Sequence, residues 1–119
     1  MQHVRTIRLT PVDMKSIDLA IAYIDQNYRS KISAEHLSIE VNLPKEKLQA
    51  GFQKKTNLTV HQYVIQIRIE RAKELLINTN SPLKSIASRI GFVDQSYFCK
   101  VFKRLADTSP IEFRLQQVG

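Results

Sequence analysis

Five residues of this chain, Leu48, Phe52, Asn57, Thr59 and Tyr63, return as Phe98, Phe102, Asp107, Ser109 and Phe113, each 50 positions later. Upstream of a turn the offset is 49, pairing Ser33, Leu37 and Val41 with Pro82, Ile86 and Ile90. The second copy has therefore gained one residue in its turn. A repeat of this period fills most of a 119-residue chain, and its unit must be small. Each copy reads as a short helix, a tight turn (Asn42-Leu43-Pro44 or Gly91-Phe92-Val93) and a longer helix. That is the helix-turn-helix plan, whose second helix enters the major groove of DNA. One copy would be a weak signal, since such pairs are common in proteins that never meet DNA. Two in one chain are a strong one.

Local signals predict an all-α fold of seven helices. The chain has only three glycines and four prolines, and its apolar residues recur at spacings of three and four. Thr10-Pro11 and Asp13 open a first helix running to about Tyr28, with Ile17, Ala20, Ile21 and Ile24 on one face. Ser33 caps a short helix carrying Leu37 and Val41, and Pro44 suits the first turn of a third, carrying Leu48 and Phe52. Thr59 with Gln62 forms a capping box for a long helix to about Asn78, whose buried stripe reads Tyr63, Val64, Ile67, Leu75 and Leu76. Ser81-Pro82 opens a fifth helix with Ile86, Ala87 and Ile90. Asp94 caps a sixth with Phe98, Val101, Phe102 and Leu105 inward, and Ser109-Pro110 with Glu112 caps a short seventh. The expected organisation is a tail or linker end over 1–12 and a DNA-binding domain over 13–119. Within that domain 33–57 and 82–107 are the two helix-turn-helix units, 59–78 the linker helix and 109–117 the last helix.

Charge narrows the partner. Eighteen Lys and Arg stand against 11 Asp and Glu, a net +7, which favours a polyanion, nucleic acid before membrane surface. No apolar run approaches the roughly 18–20 residues of a membrane span, and residues 1–13 lack the apolar stretch of a signal peptide. A cytoplasmic, nucleoid-associated protein with no membrane partner is expected. A single cysteine, Cys99, excludes an internal disulfide and every multi-cysteine zinc pattern. His3, His36 and His61 show no ligand spacing and read as surface residues, so neither metal nor cofactor is expected. No acid/base pair, nucleophile arrangement or phosphate-cradling glycine loop is present, which places enzymes last among the classes.

Helical geometry then picks out two outward faces. At 100° per residue, Glu46, Gln49, Ala50 and Gln53 lie opposite the buried seam of the third helix. Ser96, Cys99, Lys100 and Lys103 do so on the sixth. The sets sit at the repeat offset but differ in chemistry. Gln49 and Gln53 suit adenine N6/N7, and Glu46 can accept from cytosine N4 but faces phosphates unfavourably. Lys100 and Lys103 suit guanine edges or phosphates. The first face carries no cation, although Lys45, Lys47, Lys54 and Lys55 flank it as phosphate contacts. The linker helix, about 30 Å long at 1.5 Å per residue, nearly matches the ~34 Å between successive major-groove faces.

The run Tyr63…Arg68…Ala72…Leu75-Leu76…Ile86-Ala87…Gly91-Phe92…Asp94…Ser96-Tyr97-Phe98…Phe102-Lys103…Ser109-Pro110…Phe113-Arg114 resembles the signature of AraC/XylS-type transcription regulators. The full domain resemblance extends over residues 13 to 117. It implies a bipartite DNA-binding domain that occupies adjacent major grooves of double-stranded DNA and usually activates transcription near a promoter, with RNA polymerase as a further partner. Carried across, the family's base-reading positions fall on Glu46, Gln49 and Ala50, then on Gln95, Ser96, Cys99 and Lys100. The chain departs from the family at Ala50 (usually arginine), Pro44 (usually a serine cap), and Asn57 and Asp107 (usually glycines). Asn and Asp tolerate left-handed backbone better than most residues, so those two turns are expected to survive. The missing guanidinium at Ala50 weakens the first half. An effector-binding domain precedes this one in many members, so the chain is expected to be an excised fragment or a stand-alone regulator, with Arg5 and Arg8 in a linker end.

Other residues read structurally. Gly91 permits a left-handed turn residue and Phe92 plugs the core beneath it. Cys99 is a small groove-compatible residue rather than a redox switch. Arg68 resembles the family's structural arginine and is expected to pair within the molecule. The competing function is a basic helical module that docks a partner protein, in which the repeat is architecture only. Salt dependence and discrimination between operator and random duplex separate the two.

Overall fold

The computed structural model describes residues 7–118, apart from the Val118 side chain, and within them every regular element is a helix. The seven are α1 (Pro11–Asn27), α2 (Ala34–Glu40), α3 (Lys45–Thr56), α4 (Val60–Asn78), α5 (Leu83–Arg89), α6 (Gln95–Ala106) and α7 (Pro110–Val118). Fold class and helix order are those the sequence predicts. The helix starts are chemical. The Thr10 hydroxyl accepts from Asp13 N–H, and the Asp13 carboxylate accepts from Thr10 N–H, around a proline at the first helical position. Thr59 and Gln62 make the same reciprocal pair at α4, at 3.0 and 3.1 Å. Asp94 accepts from Tyr97 N–H at α6 and Ser33 from His36 N–H at α2.

Two of these starts differ from expectation. Pro11 and Val12, assigned to the tail, are the first residues of α1. At α7 Ser109 does accept from Glu112 N–H, but the Glu112 carboxylate takes the Thr108 hydroxyl instead of closing the box. Arg5, the other half of the expected linker pair with exposed Arg8, lies outside the described residues, as does His3.

The chain forms two compact units. One comprises the chain up to Asn27 with Ile32–Val64; the other comprises Tyr28–Lys31 with the chain from Ile65 onward. In the first, α1 and α2 pack on α3 around Ile17, Ala20, Ile24, Leu37, Leu48 and Phe52, all fully buried. Gly51 makes the α1–α3 contact close, since a Cβ there would fall 2.6 Å from Ile17 Cδ1. In the second, Phe92, Phe98, Phe102 and Phe113 form a continuous aromatic row, with ring centroids 5.5, 5.9 and 5.5 Å apart. Edge-to-face geometry of this kind adds to the stabilisation from burial.

Two details of the core correct the sequence reading. Along α4, Val64 and Leu76 are buried as expected, but Tyr63, Ile67 and Leu75 are only half-buried. Val60, Ile65, Ile69 and Ala72 take their place. Val60 and Val64 lie on one side of the helix, and Ile65, Ile69, Ala72 and Leu76 lie about a third of a turn around it. A single stripe cannot describe both. Leu105, expected inward, is 48% exposed because it stands in the last turn of α6, past the point where Phe102 meets Phe113.

Candidate nucleic-acid interface

Each unit presents its second helix after a turn built on a left-handed residue. Asn42 has φ 51° and Gly91 has φ 98°, at equivalent positions of the repeat. Glycine is needed at the second: a Cβ on Gly91 would lie 2.7 Å from the Arg29 carbonyl oxygen. Both helices then stop on a left-handed residue, Asn57 and Asp107, each with φ 60° and its N–H on the carbonyl four residues back. The non-glycine residues at these positions adopt the expected backbone.

On α3, Glu46, Gln49 and Gln53 are exposed and Ala50 is half-buried. Gln49 and Gln53 line a concavity of about 460 Å³ with Ser33, Thr59 and His61. The histidine was read only as surface; its sequence gives no sign that the start of α4 comes beside α3. On α6, Gln95, Ser96 and Lys100 are exposed and Cys99 is half-buried. Burial pushes the Cys99 thiol up from its ordinary value, which keeps it protonated and unreactive at neutral pH. Lys103 is exposed, and among the described residues neither it nor Lys100 has an ion-pair partner.

The lysines flanking α3 are less free than the sequence suggested. Lys45 donates to Glu35, and that contact holds the Glu35 carboxyl below its usual range. Lys55 pairs with Asp18 at 3.3 Å. Lys47 requires a correction. It is half-buried, and its ammonium donates at 3.1 Å to Asp13 Oδ2, 88% of whose side chain is removed from solvent. Asp13 is held below the ordinary carboxylate range by the Thr10 N–H first and by Lys47 second. Lys47 thus ties α3 to the start of α1 instead of standing ready for a phosphate. Lys54 remains an exposed cation beside this face.

Two arginines hold carbonyls inside the second unit. Arg68 donates to the carbonyls of Tyr28 at 2.7 Å and Ser30 at 3.0 Å, with its guanidinium over the Phe92 ring. The expected intramolecular pairing is present, with backbone as partner. Arg114, whose role the sequence did not reveal, does the same to Leu76 and Thr79 at 3.0 and 3.1 Å. Each satisfies carbonyls at or beyond a helix C-terminus. Ahead of α6, Lys84, Ser88, Phe92, Val93 and Gln95 line a second concavity of about 500 Å³.

A family model described as a helix-turn-helix domain matches residues 37–116. LumQ of Photobacterium leiognathi, described as a probable transcriptional regulator, is 36% identical over 92 residues, covering 77% of this chain and 37% of that protein. The C-terminal domain of AraT, a response regulator from Geobacillus stearothermophilus, superposes with a TM-score of 0.80 at 28% identity, covering 92% and 88% of the two chains. A transcriptional regulator from Chromobacterium violaceum, described as having an AraC-type DNA-binding domain, superposes with a TM-score of 0.82. It covers 91% and 96% of the chains at 19% identity, a likeness of fold. The chain spans about a third of the length of the first curated relatives it matches.

Proposed function

The chain belongs to the AraC-type helix-turn-helix family of transcription regulators, and on that footing we propose that it binds double-stranded DNA sequence-specifically, α3 and α6 each entering one of two consecutive major grooves. The observation that carries this reading is the pairing of two equivalent units. Each has a left-handed turn residue, a second helix with an outward polar face and a left-handed stop.

The proposed base-facing residues are Glu46, Gln49, Ala50 and Gln53 on α3, and Gln95, Ser96, Cys99 and Lys100 on α6. Lys54 and Lys103 are proposed to reach phosphates, with Lys45 and Lys55 able to do so only by leaving Glu35 and Asp18. Exchanging an exposed ion pair for a phosphate costs little, since such pairs stabilise by no more than about 1 kcal/mol. The regulator is proposed to act in the cytoplasm at the nucleoid, activating transcription with RNA polymerase as partner. Its relatives' greater length supports a further, effector-binding domain outside this chain.

The test is selection of bound sites from a random duplex library, followed by competition against random duplex at two salt concentrations. A selected site should compete at least about 10³-fold better than random DNA, and affinity should fall steeply with salt. Equal competition with no salt dependence would assign the domain to protein docking.

A further inference from the structure

Val93 is the residue by which the second turn exceeds the first, and it is fully exposed, at 103%. An apolar residue just before a helix cap ordinarily packs on the fourth residue of the helix and fixes the angle of entry. Here the neighbour does that. Phe92 is buried and lies 5.5 Å from Phe98, the fourth residue of α6, between ring centroids. In the first unit the equivalent Leu43, also buried, directly precedes the cap Pro44, with no residue between. The core therefore has no use for Val93.

Its isopropyl group stands instead at the N-terminal end of α6, the end of a recognition helix that approaches base edges. With Ser88 and Gln95 it walls the 500 Å³ concavity, and Lys84 on the same rim supplies a cation at phosphate height. The apolar group that base pairs present in a major groove is the thymine C5-methyl. We propose that Val93 is a specificity-determining residue that packs against a thymine methyl in the half-site read by α6. This rests on the DNA-binding reading above.

Replacing each thymine of that half-site by uracil removes the methyl and leaves pairing intact. At one thymine the wild-type chain should lose about three- to fourfold in affinity, the worth of one buried methyl-sized group. Val93→Ser should bind the thymine and uracil duplexes equally at that position, while its melting temperature stays at the wild-type value. Identical uracil penalties in both proteins at every thymine would overturn the proposal, as would a fall in melting temperature that reveals a packing role. Failure of the wild-type chain to prefer any selected duplex over random DNA would remove the DNA reading itself, and this assignment with it.

Discussion

Single residues decide how the two halves differ. Position 50 carries a methyl group where the family usually places arginine, and a bidentate Arg–guanine contact carries roughly 1–3 kcal/mol of discrimination. Ala50→Arg should tighten binding and add a guanine preference confined to the α3 half-site, read by comparing selected sites before and after the change. Unaltered selection would show that position 50 does not face bases. Gly91→Ala tests the turn, because its φ of 98° and the Arg29 carbonyl 2.7 Å from a new Cβ leave no unstrained alternative. A loss of roughly 1–3 kcal/mol in thermal or denaturant unfolding is expected. Asp13 carries a pH dependence whose direction follows from its lowered pKa. Its stabilisation is complete above the ordinary value of 3.8 and is lost as pH falls through the lower folded value. Asp13→Asn should therefore be less stable than wild type at neutral pH, and the gap should close in strong acid. A gap that stays constant would separate Asp13 from the acid response. Sequence made Asp13 legible as a helix start but not as a partner of Lys47, because that pair spans 34 residues and only the α1–α3 packing brings it together.

At the scale of elements, helix starts and stops were written most plainly. Caps depend on one side chain and a backbone N–H two or three residues away, so Thr59–Gln62 and Asp94 could be read without tertiary information. The buried face of α4 could not. Its residues up to Val64 belong to one unit and those from Ile65 to the other, so periodicity fitted to the whole helix averages two different faces. The outward faces of α3 and α6 were legible because each is the complement of a seam fixed by two or three fully buried residues, Leu48 and Phe52 or Phe98, Val101 and Phe102. The flanking cations were not, since Lys45, Lys47 and Lys55 are each engaged by an acid from another helix. That leaves Lys100 and Lys103 as the cations to test first. Replacing both with alanine should weaken binding and lower the slope of log affinity against log salt by about one to two units if both meet phosphate. An unchanged slope with altered base preference would assign them to base reading. Thr59→Ala should cost about 1 kcal/mol of folding stability through loss of the α4 cap.

Across the whole molecule the repeat predicts two half-sites of unequal weight. The α6 half combines Lys100 and Lys103 with Gln95 and Ser96, whereas α3 offers glutamines, Ala50 and Glu46. The measurement that tests this most directly is a base-by-base substitution scan of a selected duplex, with an affinity penalty recorded at each position. Two clusters of penalties are expected, centred about one helical turn apart, roughly 10 base pairs, with the larger penalties in the half-site that responds to Lys100 and Gln95 substitutions. A single cluster would contradict the placement of two recognition helices in successive grooves, and equal or larger penalties on the α3 side would contradict the asymmetry.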